Sequence, residues 1–180
     1  SDTAVIRNLN VNANITLVGT AGDMNVALLC GKLGTRGVIE YCNVSGDINS
    51  AVNSENGGGT DAGLVAGQCL GSISYCIASG NVTGIGYVGG IVGQLGDVWT
   101  TENPGSITAC SFTGAINSNR PVNNDTGREG SFGGGICGAI TSYFLAKDGF
   151  KVVVLEKNII GYKNTSLSSA CITDFIDDLY

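Results

Sequence analysis

Short runs of alternating apolar and polar residues return along the chain at a nearly constant interval. Ile39, Cys42, Val44, Gly46 and Ile48 (IEYCNVSGDI) are matched by Ile73, Cys76, Ala78, Gly80 and Val82 (ISYCIASGNV), and again by Ile107, Cys110, Phe112, Gly114 and Ile116 (ITACSFTGAI). A further copy at the N-terminus, Ile6, Leu9, Val11, Ala13 and Ile15, carries Leu in place of Cys and Ala in place of Gly. Leu9 to Cys42 is 33 residues, and Cys42 to Cys76 and Cys76 to Cys110 are 34 each. The alternation predicts one strand per copy, running from Cys42 to Ile48 in the second.

A second element is interleaved with the first: Ala27 to Gly31 (ALLCG), Gly63 to Gly67 (GLVAG), Gly89 to Gly93 (GGIVG) and Gly134 to Gly138 (GGICG). Cys42 to Gly67 is 25 residues and Gly67 to Cys76 is 9, whereas Cys76 to Gly93 and Gly93 to Cys110 are 17 each. Each turn of chain therefore has two fixed walls joined by loops of varied length. Such a unit cannot bury its apolar face alone, so the copies must stack.

In-register stacking at about 4.8 Å per rung predicts inward columns Ile6/Ile39/Ile73/Ile107, Leu9/Cys42/Cys76/Cys110, Val11/Val44/Ala78/Phe112 and Ile15/Ile48/Val82/Ile116. The column Ala13/Gly46/Gly80/Gly114 must be small, and is expected where the opposite wall presses close. Outward fall Asn12/Ser45/Ser79/Thr113, Asn14/Asp47/Asn81/Ala115 and Thr16/Asn49/Thr83/Asn117, which read as a solvated wall. The fold class expected is all-β: a parallel β-solenoid of about four rungs over residues 1–140, closed by a small α/β cap over 141–180.

At this point the residues resemble the GLUG-motif repeat, in which a G-G-[LI]-V-G segment alternates with a C-[YFI]-[AT]-x-G-x-V segment. The clearest copy is YCIASGNVTG (Tyr75 to Gly84) followed by YVGGIVGQLG (Tyr87 to Gly96), and the similarity covers roughly residues 6 to 140. The resemblance implies a β-solenoid stalk or adhesin-like region of a secreted or cell-surface protein, with no activity of its own. Leu9 at the Cys position, and the lack of a Cys strand after the fourth GGICG, depart from the pattern and read as capping.

Composition narrows the chemistry. Gly is 29 of 180 residues, about twice the usual share of roughly 7%, and the columns above absorb much of the excess. The chain contains no His, which removes Ser-His-Asp and Cys-His catalysis and imidazole metal ligation. A net charge of -6 and only nine Lys and Arg argue against nucleic acid, whose phosphates need clustered cations. No membrane span or signal peptide is read. Because the sequence begins inside a repeat, a mature or excised segment of something longer is expected.

The seven Cys read first as small apolar ladder residues: three share one column, Cys30 and Cys137 fall with Ala66 and Val92, and Cys69 falls with Leu33 and Leu95. In-register parallel neighbours carry their Cβ vectors side by side, which suits a disulfide poorly. No Cys-x-x-Cys occurs.

After Gly138 the pattern changes to a short amphipathic helix (AITSYFLAKDG) and a strand (FKVVVLEKN). Gly133 to Gly138, that helix and Glu156 together look like the G-x-G-x-x-G fingerprint of dinucleotide-binding flavoproteins. The residues before it, NNDTGREGSF, lack the hydrophobic strand the fingerprint needs, so a cap over the last rung is the reading adopted.

Two loop insertions, 97–104 and 117–131, are the candidate ligand loops and hold Trp99, Glu102, Arg120, Asp125 and Arg128, although Trp99 as cover for an apolar edge of the solenoid is the reading preferred. A Trp beside polar groups on a rigid scaffold suits a sugar face. Sequons at Asn14, Asn43, Asn81, Asn124 and Asn164 are candidate glycosylation sites. Neither NGGGTD (Asn56 to Asp61) nor the acidic tail follows a calcium-loop pattern. No catalytic residue, cofactor or metal is nominated. The function expected is a non-enzymatic stalk, adhesin segment or filament subunit, with other protein chains or surface glycans as partners; the alternative is a carbohydrate-binding or carbohydrate-active solenoid using the Trp99 and 117–131 loops.

Overall fold

The computed structural model describes residues 3–18, 24–50, 60–97, 105–118 and 132–134. Through them the chain winds in four coils of short strands. The first holds β1 (Val5–Arg7), β2 (Asn10–Asn12), β3 (Ile15–Thr16), β4 (Met24–Val26) and β5 (Cys30–Leu33). The second holds β6 (Val38–Glu40), β7 (Asn43–Ser45), β8 (Ile48–Ser50), β9 (Thr60–Ala62) and β10 (Ala66–Cys69). The third holds β11 (Ser72–Ser74), β12 (Ile77–Ser79), β13 (Val82–Gly84), β14 (Tyr87–Gly89) and β15 (Val92–Leu95). The fourth holds β16 (Ser106–Thr108), β17 (Ser111–Thr113), β18 (Ile116–Ser118) and β19 (Phe132–Gly134).

Each strand pairs in parallel with its equivalent in the next coil, giving five parallel sheets such as β1-β6-β11-β16 and β15-β10-β5. The fold is a parallel β-solenoid. The predicted register holds: Ile6, Ile39, Ile73 and Ile107 stack, as do Val11, Val44, Ala78 and Phe112, and Ile15, Ile48, Val82 and Ile116. The second element is also in register, with Val26, Ala62 and Val88 aligned, Gly134 opposite Gly89, and Cys30, Ala66 and Val92 in one column.

Two expectations change. The Cys element is three strands rather than one, because the chain turns twice within it. Asn8, Tyr41, Tyr75 and Ala109 take φ of 51 to 56° at the first corner, and Gly46 and Gly80 take 129 and 139° at the second. Inside-outside alternation survives both corners, so the pattern could not reveal them. The two-walled coil is accordingly a five-sided one.

The core lies in the two middle coils. Ile39, Cys42, Val44, Ile48, Leu64, Val65, Ile73, Val82, Ile91 and Val92 are fully enclosed. Ile6, Val11 and Ile15 at one end, and Ile107, Cys110 and Phe112 at the other, are only partly buried. Full burial of a side chain such as Ile or Val is worth about 1.5–3 kcal/mol, so the middle coils carry most of the stabilisation. Backbone groups at the corners are paired from coil to coil, as in Asn43 N–H to the Leu9 carbonyl at 2.8 Å and Ile77 N–H to the Cys42 carbonyl at 2.9 Å. The described residues contain strands and no helix. The cap expected over 141–180 lies outside them.

Candidate functional site

The face formed by β1–β3 and their equivalents in the later coils carries side chains that act between coils. Asn14 Oδ1 accepts the Asp47 N–H at 2.7 Å. Asp47 Oδ1 accepts the Asn81 N–H at 2.7 Å and the Asn81 amide at 3.0 Å. Asn81 Oδ1 then accepts the Ala115 N–H at 3.2 Å. Beside this ladder Asn43 donates from Nδ2 to Asn10 Oδ1 at 2.9 Å, and the Ser45 hydroxyl donates to the Val11 carbonyl at 3.3 Å. Arg7 and Glu40, 3.8 Å apart, add an ion pair between the first two coils. The wall expected to be merely solvated is a set of hydrogen-bonded columns.

Glycine shapes this face for a reason other than the one expected. A Cβ on Gly46 would overlap the Ala13 carbonyl oxygen, one on Gly80 the Gly46 carbonyl oxygen, and one on Gly114 the Gly80 carbonyl oxygen. The column is small because each coil lies directly on the one before, and the opposite wall plays no part. Close approach of a neighbouring wall does explain the other glycine column. A Cβ on Gly93 would lie 2.5 Å from Ala62 N and 2.7 Å from Tyr87 O, and one on Gly67 would lie 2.6 Å from Val26 N.

Tyr41 and Tyr75 occupy the first corner in successive coils and stack with ring centroids 4.9 Å apart and planes 3° from parallel. Both rings are about half exposed, and the exposed Ile77 follows Tyr75 by two residues. Motif reading passed over this pair, although the repeated Tyr-Cys dipeptide at a spacing of 34 was the signal available.

Behind the corner runs the thiol column. Cys42 and Cys76 are buried and Cys110 is partly buried; with Cys30 and Cys69 these are free thiols. The thiols of Cys42, Cys76 and Cys110 donate to the carbonyls of Glu40, Ser74 and Thr108 at 3.3, 3.3 and 3.4 Å. The Cys76 N–H also donates to Cys110 Sγ at 3.4 Å. With the Cys76 thiol beside it and the Cys76 N–H directed at its sulfur, Cys110 is lowered to about 7 from the usual thiol range, and Cys76 is pushed up in turn by the neighbouring Cys110 thiol and by burial. Burial raises Cys30 and Cys42 as well.

Of the residues nominated from sequence, Asn14, Asn43 and Asn81 stand exposed on the ladder face. The amide nitrogens of Asn43 and Asn81 already make ladder bonds there. Asn124 and Asn164, and the ligand-loop residues Trp99, Glu102, Arg120, Asp125 and Arg128, lie outside the described residues. Among those described, no three or more of His, Cys, Asp and Glu form a group that could hold a metal. No helix among them is long and apolar enough to cross a membrane.

Two family models match the chain. The model of the GLUG motif, which occurs in extracellular and surface proteins, matches residues 84–117. That of FAD dependent oxidoreductases matches residues 132–180. No curated protein and no solved structure matches the chain. The first two glycines of the flavoprotein-like run, Gly133 and Gly134, pair in the solenoid with Val88 and Gly89. They therefore lie in a strand of the solenoid, and the rest of the run, Gly135 to Gly138, lies outside the described residues.

Proposed function

Taking the chain as a member of the GLUG-repeat family, we propose that it is a non-enzymatic structural module of a secreted or cell-surface protein: a stalk, adhesin segment or filament subunit. The observation that supports this most is the employment of the outward side chains. Asn14, Asp47 and Asn81 are engaged in tying coil to coil, an arrangement that stiffens the stack of coils. Partners are other protein chains, joined by strand addition at an end coil, or surface glycans met by the side loops. Brief protease treatment of intact cells that make the protein, followed by immunoblotting, tests the placement. Loss of the GLUG epitope from intact cells is expected, and an epitope degraded only after lysis would overturn it.

A second reading is favoured by the match over residues 132–180. In it the C-terminal segment is the opening of a flavin-dinucleotide fold joined to the solenoid, and the module would serve an oxidoreductase. Flavin fluorescence in the supernatant of the heat-denatured protein decides between them: its absence supports the structural module, and a stoichiometric release supports the oxidoreductase.

A further inference from the structure

We infer that the thiol column is a binding site for a soft, two-coordinate cation of the Cu(I) or Ag(I) class, held between the sulfurs of Cys76 and Cys110. The column supplies one thiol per coil over three consecutive coils, and the backbone fixes the order. Ile77 N–H bonds to the Cys42 carbonyl at 2.9 Å and Ser111 N–H to the Cys76 carbonyl at 3.0 Å. The three side chains share one orientation, each thiol reaching the carbonyl two residues before it. The Cys110 sulfur lies 3.4 Å from the Cys76 N–H, so it leans toward the coil of its partner.

Spacing then selects the chemistry. Neighbouring parallel strands are about 4.8 Å apart, and two metal–thiolate bonds laid end to end span a comparable distance, about 4.6 Å on the scale of zinc–thiolate. A linear S–M–S unit therefore fits between adjacent coils with little movement. A disulfide does not, since it needs sulfurs about 2.05 Å apart and Cβ atoms near 3.8 Å. One thiol per coil offers two sulfurs across each step between coils, the number a soft monovalent ion takes and fewer than the four of structural zinc. Ile73, Ala78 and Val82 are buried around Cys76 in sequence, an apolar setting that disfavours hard, strongly hydrated cations. Cys110, partly buried at the end of the column, is the point of entry.

Binding exchanges two protons for one ion. Both S–H bonds break, two S–M bonds form and two protons leave to solvent, with no change in oxidation state. The bound unit carries one negative charge, and the Cys76 N–H already directed at Cys110 Sγ faces it.

The test is anaerobic titration of the full, reduced chain with Cu(I) held by a chromogenic chelator, with X-ray absorption on the loaded protein. One tightly held equivalent is expected, with a shell of two sulfurs. Its affinity should fall at least tenfold in Cys110→Ser and in Cys76→Ala, and persist in Cys30→Ser and in the double variant Cys137→Ala/Cys171→Ala. Each variant is scored only where its circular dichroism matches the parent, and the surface-proximal Cys110→Ser keeps the test alive should Cys76→Ala fail to fold. Unchanged affinity in Cys110→Ser, or a shell of three or four sulfurs, would overturn the assignment.

Discussion

The molecule uses glycine in two columns against two different sets of atoms, and the contrast separates contact with an equivalent residue one coil away from contact with the adjacent side of the solenoid. In the Gly46/Gly80/Gly114 column, each residue rests on the carbonyl of its own equivalent in the coil before. Gly46 and Gly80 also hold φ of 129 and 139°, values that L side chains rarely adopt. In the Gly31/Gly67/Gly93 column the obstacle is mainly backbone of the adjacent side of the solenoid, in the same coil for Gly31 (Asn25 O), in the coil before for Gly67 (Val26 N) and in both for Gly93 (Tyr87 O and Ala62 N); Gly67 also meets Gly31 O, its own equivalent, and no unusual φ is involved. The first column lets each coil rest on its own equivalent in the coil before, and the second lets a coil pack against the adjacent side of its own coil and of the coil before. Ala13 marks the difference: in the first coil, its carbonyl is what Gly46 rests on, and a Cβ is accommodated there.

The largest effect that would test this contrast is expected from Gly80→Ala. It combines overlap with a backbone carbonyl and a forbidden φ, and should destabilise by more than about 4 kcal/mol, measured by urea unfolding. Gly93→Ala meets backbone atoms at 2.5 and 2.7 Å without the φ penalty. It should cost about 3 kcal/mol, the overpacking range. Equal losses at the two sites would erase the distinction between the columns.

Smaller effects sharpen it. Asp47→Ala removes the acceptor for two Asn81 donors on an exposed face, and a loss of about 1 kcal/mol is expected in the same unfolding assay. The thiols of the two walls should differ in reactivity more than in stability. Cys110 is lowered to about 7 and Cys30 is raised. Because the thiolate is the nucleophile, Cys110 alkylation by iodoacetamide should rise through pH 7 and plateau, while Cys30 remains slow until strongly alkaline pH. Peptide mapping after timed quenching reads both; matching profiles would remove the asymmetry.

Much of this architecture was legible in the chain, and the parts that were not share a cause. The Ile39, Val44 and Ile48 columns followed from spacing alone, because a fixed period and a fixed register are the same statement in a stack. The corner at Tyr41 and Tyr75 was hidden, since neither Tyr nor its neighbours carries the Gly, Asn or Asp that usually announces a left-handed residue. The reason for Gly46 was misassigned to the opposite wall because a composition preference says that space is short without saying which atoms take it up. The hydrogen-bonded character of Asn14, Asp47 and Asn81 was likewise invisible: an outward amide reads as solvated until the N–H it accepts is known to sit one coil away. The site chemistry was the least legible. The Cys column was found by spacing, whereas the lean of Cys110 toward Cys76 depends on side-chain placement, and the nominated loop residues fall outside the described ones.

The side-chain ladder has one more consequence, for copy number. Asn14 does for Asp47 what Asp47 does for Asn81 and Asn81 for Ala115, so consecutive coils present interchangeable joints. Excising residues 42–75, one 34-residue period, would set Cys76 after Tyr41 and bring the Asn81 N–H to Asn14 Oδ1, a junction the fold already contains. Duplication of the same stretch would add a coil by the same joint. In such a chain, length is an inherited variable that slipped recombination can reset in whole coils.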